Sequence, residues 1–289
     1  MTKRVPKVDA HLHLTRWWPN IKGTGYRSDL DFSLKGLLRE MDDAGVDFGV
    51  LIQSNDAPNT RDGLVEARKL VSGSAGRLRL VSTVDPTKGP KSVADMISRW
   101  EKTPELKGIK LFPGYHPFYP HDRRLDPVYE YARSRKIPIL IHTGDTMDVN
   151  GMIKYSRPIE IDEVAVRFRD VSFVLCHFGN PWIDEAAEVI YKNANTYADI
   201  SGLLAHPSYP LYSKMIDLCR KRIEEAILMV GSADRVLGGS DWPLVDIQVV
   251  QRMVRSLHLS EKDRVGILGG NACRLFGLPL SGWKRAGPS

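Results

Sequence analysis

The sequence lacks the features that mark a membrane-spanning protein, an exported protein or a zinc-cluster protein. Its 3 cysteines, Cys176, Cys219 and Cys273, lie far apart without a C-x-x-C pair, which argues against a zinc cluster or a redox pair. No apolar run approaches the roughly 18 residues of a membrane span. The start of the chain, MTKRVPKVDAHLH, holds no apolar signal segment. We therefore expect a soluble, cytoplasmic protein with reduced, buried thiols and no membrane partner.

The sequence also lacks the concentrated positive charge of a nucleic-acid-binding protein, although its formal net charge is +6. Basic proteins gain affinity for nucleic acid by displacing phosphate counterions. Here lysine and arginine are scattered, and the short basic groups at residues 133–136 and 220–222 fall on predicted helices, where a solvated face explains them. We therefore expect no nucleic-acid partner.

The hydrophobic pattern of the chain predicts one α/β barrel. Hydrophobic residues make up 42% of the 289 positions, which is enough for a substantial core. Short β-branched runs alternate with amphipathic segments, as in a parallel sheet built from βα units. The eight predicted strands comprise residues 5–14, 46–55, 78–85, 106–113, 137–144, 171–179, 195–203 and 236–242. The eight predicted helices comprise residues 33–44, 61–72, 91–102, 126–135, 159–168, 182–193, 209–230 and 247–257. This order predicts a single (β/α)8 TIM barrel over residues 1–289.

After the eighth βα unit the chain continues with LSEKDRVGILGGNACRLFGL. This segment is predicted to be further helix, opened by Ser260 as N-cap with acidic residues behind it. The sequence shows no internal repeat beyond the βα period, no low-complexity tract and no long linker. We therefore expect a C-terminal helical appendage to the barrel and no second domain.

Two histidines stand at the end of the first predicted strand, in the motif VDAHLH. His11 and His13 are two residues apart, so strand alternation turns both side chains to one face, here the barrel interior. Two imidazoles placed in this way can share a metal ion. Asp9 is expected on the same face, either as a carboxylate that orients a metal ligand or as a plain structural residue.

Three more polar residues close later predicted strands. His142 closes the fifth in ILIHTGD, His177 closes the sixth in VLCHFG, and Asp241 closes the eighth in GGSDWP. The carboxyl ends of barrel strands converge on one mouth, so we expect these residues to meet His11 and His13 there. A single buried histidine is ordinarily a core residue, but core packing alone does not explain why four histidines and an aspartate all fall at the ends of predicted strands. Imidazole and carboxylate donors together suit Zn²⁺ first, or Mn²⁺ or Fe²⁺.

As an ordered set, these motifs resemble the amidohydrolase superfamily. Within it, the resemblance is to the amidohydrolase-related branch that contains aminocarboxymuconate semialdehyde decarboxylase and pyrone dicarboxylate lactonase. It covers nearly the whole chain and is carried by VDAHLH, GIKLFP, ILIHTGD, VLCHFG, YADISG, GGSDWP and GGNACRLFGL. The resemblance implies that His11, His13, His142 and Asp241 bind one divalent metal, and that His177 is a catalytic histidine beside it.

The resemblance also implies a reaction. A metal on these ligands would activate water, Asp241 would take the proton of that water and return it to the leaving group, and His177 would polarise the substrate carbonyl. The leading expectation is hydrolysis of an ester, lactone or amide. Non-oxidative decarboxylation of an unsaturated or aromatic acid uses nearly the same ligands and stays open. A barrel that has lost catalysis and serves as a scaffold is the third alternative.

Lys110, in GIKLFP, leaves the number of metals open. Related enzymes with two metals carry a carboxylated lysine at the end of the fourth strand, and His142 and His177 would then hold the second ion. The branch that this chain most resembles usually works with one metal. With one metal, Lys110 would face the substrate or form a salt bridge.

The loops after the strands are expected to supply the mouth with aromatic and charged side chains. These residues are Arg16, Trp17, Trp18, Tyr115, His116, Asp145, Lys154, Tyr155, Arg157, Trp182, His206 and Trp242. Loops at this end of a barrel set substrate choice, and such a wall suits a small planar or carboxylated molecule. We expect Tyr155 and Arg157 to bind that molecule, with the arginine gripping a carboxylate at two points. The aromatic residues fit the interface of a homo-oligomer equally well.

Overall fold

The computed structural model describes residues 4–14, 30–54, 61–204 and 211–281, apart from the side chains of Arg61 and Tyr212. Four of the predicted mouth residues therefore lie outside the described residues, namely Arg16, Trp17, Trp18 and His206. The same holds for residue 55 of the second predicted strand and for residues 209–210 of the seventh predicted helix.

Eight parallel strands form one sheet in chain order, and the last strand meets the first. The strands are β1 (Val8–His13), β2 (Phe48–Ile52), β3 (Leu78–Thr83), β4 (Leu106–Leu111), β5 (Ile139–Ile141), β6 (Phe173–Leu175), β7 (Thr196–Asp199) and β8 (Val236–Leu237). The ring closes where the Ala10 amide donates to the Gly238 carbonyl and the His13 amide donates to the Trp242 carbonyl, both at 2.8 Å. The predicted (β/α)8 barrel is confirmed.

Helices alternate with these strands and cover the outside of the barrel. They are α1 (Leu34–Asp43), α2 (Arg61–Ser72), α3 (Pro90–Glu101), α4 (Asp126–Arg135), α5 (Ile161–Arg167), α6 (Ile183–Lys192), α7 (Tyr212–Val230) and α8 (Ile247–Ser256). These bounds agree with the predicted helices to within one turn. No helix among the described residues is both long and apolar enough to cross a membrane.

The predicted C-terminal appendage is present and is fastened to the barrel. It comprises α9 (Glu261–Val265), a wider turn over residues 266–270, and α10 (Asn271–Phe276). Ser260 begins α9 as its N-cap by accepting from the Asp263 amide. The Asn271 side-chain amide donates to the carbonyls of Ala233 and Val236, at 2.8 and 2.7 Å, and so ties α10 to the start of β8.

The strands that lead to the polar residues are shorter than the sequence predicts. The predicted fifth, sixth and eighth strands include His142, His177 and Asp241, whereas β5, β6 and β8 end before these residues. His177 and Asp241 have φ angles of 61° and 66°, and this left-handed backbone is incompatible with a strand ladder. The three side chains therefore project from the turns just after the strands.

A register irregularity in β1 decides which side chains face the barrel interior. Asp9 pairs with Gly49 while Leu12 pairs with Leu51, so three residues of β1 run beside two of β2. An extra residue of this kind exchanges the two faces of a strand. Leu12 therefore packs outward with the α1 side chains, and the histidines at 11 and 13 point inward. Asp9, before the irregularity, lies on the outer face, so the expectation that it shares a face with the histidines is wrong.

Candidate active site

Three side chains from β1 and the turn after β8 converge at one point inside the barrel mouth. Nε2 of His11 lies 3.2 Å from Nε2 of His13. Oδ1 of Asp241 lies 3.2 Å from Nε2 of His13 and 3.5 Å from Nε2 of His11. All three residues are buried. Their donor atoms lie within 4.8 Å of one another, which is close enough for one cation to contact all three.

The imidazole of His11 is oriented by a carboxylate on its far side. Nδ1 of His11 lies 2.9 Å from Oδ2 of Asp199, the last residue of β7. Burial alone would raise the pKa of Asp199, but the neighbouring His11 holds that pKa well below its ordinary value. An ionised carboxylate only accepts hydrogen bonds, so Nδ1 of His11 donates and its Nε2 keeps the lone pair. This lone pair is directed at His13 and Asp241, which is how carboxylates orient histidine ligands in metal sites.

The charges of this group suit a divalent cation. Burial lowers the pKa of His11 to about 4, so the ring is neutral near pH 7. Burial would raise the pKa of Asp241, but the imidazoles of His11, His13 and His177 outweigh it and keep that pKa below its ordinary value. Two imidazole nitrogens and an ionised carboxylate are donors that zinc, manganese and iron accept. The residues therefore fit a divalent metal ion.

His142 lies beside this group but points its Nε2 elsewhere. That nitrogen is 2.9 Å from the backbone oxygen of Asp145, which can only accept, so Nε2 carries the proton and Nδ1 has the lone pair. Burial lowers the pKa of His142 well below its ordinary value. Its ring packs 4.8 Å from the Tyr115 ring and 4.9 Å from the His177 ring, between centroids. Among the described residues, the converging donor atoms belong to His11, His13 and Asp241, and His142 is not in that group.

His177 stands on the other side of Asp241 and is held by the segment after β7. Its Nδ1 lies 2.9 Å from the Ser201 hydroxyl oxygen and 3.2 Å from the Ser201 carbonyl oxygen. The same Nδ1 is 3.9 Å from Oδ2 of Asp241. The next residue, Gly202, has a φ of 63°, and a Cβ there would lie 2.9 Å from both Nδ1 of His177 and Oδ2 of Asp241. Only glycine fits between these two side chains without displacing them.

Lys110 is fully buried inside the barrel and pairs with a thiol. Its Nζ donates to Sγ of Cys176 at 2.8 Å and lies 5.1 Å from the centre of the Phe112 ring. Burial raises the pKa of Cys176 well above its ordinary value, so the acceptor is a neutral thiol. Within the described ranges, no carboxylate forms an ion pair with Lys110, so the salt bridge considered from the sequence is absent there. Cys176, expected to be a plain buried thiol, has its sulfur within 4.8 Å of donor atoms of His11 and Asp199.

The two predicted substrate-binding residues are engaged with other side chains. Arg157 forms a two-point ion pair with Glu185, with Nε 3.1 Å from Oε2. Its guanidinium also stacks 4.9 Å from the centre of the Trp182 ring. The Tyr155 ring packs edge-on against Tyr119 at 4.6 Å between centroids. The sequence predicted that Arg157 grips a substrate carboxylate at two points, whereas the carboxylate that it contacts at two points in the structure is that of Glu185.

Sequence reasoning missed Asp199 and Ser201 and considered Asp9 as the carboxylate that orients a ligand. Asp9 accepts instead from the backbone amides of His11 and Ser240, at 3.1 and 3.0 Å, and so fastens β1 to the turn after β8. Burial raises the pKa of Asp9 to about 7 against the effect of these bonds. The motif YADISG could have indicated Asp199, because this aspartate is the last residue of β7 and the other site residues also lie at or just after strand ends.

A parallel barrel with a histidine pair on β1, histidines after β5 and β6, and an aspartate after β8 defines an amidohydrolase-type enzyme. The family model described as Amidohydrolase matches residues 8–278. The chain therefore belongs to the amidohydrolase family, and the resemblance seen in its motifs is confirmed. None of the curated proteins compared with the chain matches it.

Solved structures of the same fold cover nearly the whole chain. An uncharacterised TIM-barrel protein from Bordetella bronchiseptica is 23% identical with a TM-score of 0.72, over 94% of this chain and 99% of that one. A probable 2-pyrone-4,6-dicarboxylic acid hydrolase from Acinetobacter baumannii, with citric acid bound, is 16% identical with a TM-score of 0.68, over 94% and 99%. A dihydroxybenzoic acid decarboxylase from Polaromonas sp. JS666, with manganese and 2-nitroresorcinol bound, is 19% identical with a TM-score of 0.69, over 94% and 97%.

Proposed function

We propose that the chain is a metal-dependent hydrolase that cleaves an ester, lactone or amide bond of a small carboxylated molecule. The observation that carries this proposal is the convergence of His11 Nε2, His13 Nε2 and Asp241 Oδ1 on one buried point. A divalent ion held there supplies Lewis acidity that activates water and polarises a carbonyl. We expect Zn²⁺ first, with Mn²⁺ or Fe²⁺ as alternatives, and manganese is the metal named for two of the similar structures.

Asp241 and the histidines would divide the remaining work. Asp241 is ionised, directs Oδ1 at the ligand nitrogens and leaves Oδ2 on the side of His177. It would therefore accept the proton of the attacking water and return it to the leaving group. His142 would complete the ligand set through Nδ1, the nitrogen that Asp145 does not engage. The His177 side chain is 15% exposed, more than those of His11 and His13, so we place it against the substrate.

We propose one metal ion and not two. A bridging lysine carries a carboxylate on Nζ that is directed at the two metals, whereas Nζ of Lys110 lies 2.8 Å from Sγ of Cys176. Burial would raise the pKa of Asp199, and the charge of the Lys110 ammonium is among those that lower it. A second divalent cation beside this ammonium would face like-charge repulsion in a buried setting. Lys110 then serves as a fixed interior cation.

The experiment that tests the proposal begins with the metal. Protein purified without added metal is assayed by plasma emission, and about one zinc, manganese or iron ion per chain is expected. The same protein is then assayed on aryl esters, lactones and amides that carry a carboxylate, in water enriched in oxygen-18. Heavy oxygen in the product supports the hydrolase. A chain that neither holds these ions nor gains thermal stability from them would favour the scaffold alternative.

Decarboxylation is the second candidate, and the names of similar structures favour it. Besides the Polaromonas decarboxylase, a 2,6-dihydroxybenzoate decarboxylase solved with its substrate is 17% identical with a TM-score of 0.69, over 95% of this chain and all of that one. Aromatic acids therefore belong in the same substrate panel. Release of carbon dioxide without incorporation of oxygen-18 would assign the chain to this class.

A further inference from the structure

One carboxylate holds two of the site imidazoles through its two oxygens. Oδ2 of Asp199 accepts from Nδ1 of His11 at 2.9 Å. Oδ1 accepts a short hydrogen bond from the Ser201 hydroxyl, and the oxygen of that hydroxyl lies 2.9 Å from Nδ1 of His177. The backbone amides of His177 and Ser201 also donate to Oδ1, at 3.0 and 3.1 Å. Asp199 and Ser201 are fully buried, so no solvent competes for these bonds.

The partners of His177 decide which of its nitrogens carries the proton. The Ser201 carbonyl oxygen, 3.2 Å from Nδ1, can only accept. The Ser201 hydroxyl has a single proton, and its short contact with the Asp199 carboxylate engages that proton. The hydroxyl oxygen therefore also turns a lone pair towards Nδ1. Both contacts require Nδ1 of His177 to be the donor, so the neutral ring keeps its lone pair on Nε2.

Nε2 of His177 is the nitrogen available to a bound molecule. In the part of the chain that the structure describes, no hydrogen bond reaches this atom, and it is not among the buried polar atoms that lack a partner. We propose that Ser201 is a positioning residue that fixes His177 as a hydrogen-bond acceptor towards the reacting groups. This inference rests on the proposed function, because it concerns the same site.

The assignment changes what His177 can do. A neutral imidazole with its proton on Nδ1 cannot donate from Nε2 to a substrate carbonyl, which is the role that the sequence suggested. It can instead accept a hydrogen bond from the attacking water or from a hydroxyl or amide N–H of the substrate, and so orient that group. The substrate or the water must then offer a donor at this position.

The test uses a matched pair of variants, Ser201→Ala and Ser201→Thr, in the zinc-loaded protein. Long-range proton–nitrogen NMR on histidine-labelled protein reports which ring nitrogen of each histidine is protonated, and His177→Asn identifies the His177 signals. In the natural protein and in Ser201→Thr we expect His177 to be protonated on Nδ1. The Ser201 hydroxyl oxygen also lies 3.0 Å from Nδ1 of His11, so all proteins are compared after loading to the same metal content. In Ser201→Ala we expect altered His177 nitrogen shifts and a kcat reduced about 10- to 100-fold, with KM unchanged.

Two results would overturn the proposal. The first is a natural protein with the His177 proton on Nε2, and the second is a Ser201→Ala protein whose His177 shifts and kcat match those of the natural protein. The NMR measurement needs no substrate, so its outcome is independent of whether the enzyme hydrolyses or decarboxylates. If Ser201→Ala does not fold, a His177 proton on Nε2 in the natural protein or in Ser201→Thr still overturns the proposal.

Discussion

Nδ1 of His11 lies 2.9 Å from Oδ2 of Asp199, a residue 188 positions further along the chain. This contact fixes the ring so that its unprotonated Nε2 faces His13 and Asp241. We expect Asp199→Asn to weaken metal binding about 10- to 100-fold, because an amide orients the imidazole less strongly than a carboxylate. Competition against a chelator measures the affinity. Asp148→Asn, at an exposed position on the loop after β5, is the control, and equal affinities in the two variants would contradict the assignment.

Asp241→Asn should abolish turnover while the protein stays folded. The amide keeps the shape of the side chain but cannot accept the proton of water, so a loss of about 100-fold or more in kcat is expected. Activity on the hydrolase panel and thermal unfolding are measured together. Asp234→Asn removes an exposed carboxylate elsewhere and should leave both unchanged. Full activity in Asp241→Asn would remove this residue from the mechanism.

Gly202→Ala should disable the site without preventing folding. A Cβ at this position would lie 2.9 Å from Oδ2 of Asp241 and from Nδ1 of His177, at a backbone φ of 63°. Gly231→Ala is the matched control, since its φ is 78° and nothing lies within 4 Å of the added Cβ. Both variants should lose about 1 kcal/mol from the left-handed backbone, and only Gly202→Ala should lose activity. Similar activities in the two variants would show that the space at residue 202 does not matter.

The stability contributed by His11 should fall as the pH falls. Its pKa is about 4 in the folded chain against an ordinary value of 6.5, so below pH 6.5 the unfolded chain takes up a proton that the folded chain does not. This contribution is complete above pH 6.5 and decreases by on the order of 3 kcal/mol as the pH approaches 4.

Urea unfolding of the chelator-treated protein, compared with His11→Asn between pH 7.5 and 4.5, isolates this contribution. The comparison is needed because Asp9 acts in the opposite sense. Burial raises the pKa of Asp9 to about 7 in the folded chain. As the pH falls below 7, the folded chain therefore binds a proton that the unfolded chain does not, and the fold becomes more stable. The difference in unfolding free energy between the two proteins should shrink on acidification. A difference that stays constant or grows would contradict the buried, neutral state of His11.

The sequence was sufficient to predict the barrel and the mouth, because hydrophobic period and strand order depend on local pattern. His11, His13 and Asp241 come together as their positions at strand ends predict. The register irregularity in β1 could not be predicted, since it depends on how Leu12 packs against the neighbouring strand and helix. It explains why Asp9 lies on the outer face although the spacing of the motif suggests the inner one.

The supporting contacts were harder to predict than the candidate ligands. Ser201 reaches His177 because the two residues follow neighbouring parallel strands, with Leu175 of β6 in register with Ala198 of β7. The sequence gives the order of the strands but not this register. The sequence could not say whether Lys110 bridges two metals. Its contact with Cys176, which the structure shows, favours one metal. For Arg157 the residue type suggested a carboxylate partner but could not say which one. In the structure its guanidinium is paired with Glu185.

The left-handed backbone at His177 and Asp241 lowers the stability of the fold at two side chains that the proposed reaction needs. Such a conformation costs roughly 1–2 kcal/mol for any residue other than glycine, and here it occurs at the two side chains assigned to chemistry. Glycine at either position would relax the main chain and silence the enzyme. Directed evolution of this barrel for thermal stability alone, without a screen for turnover, should therefore select glycine at these two positions and yield stable but inactive variants.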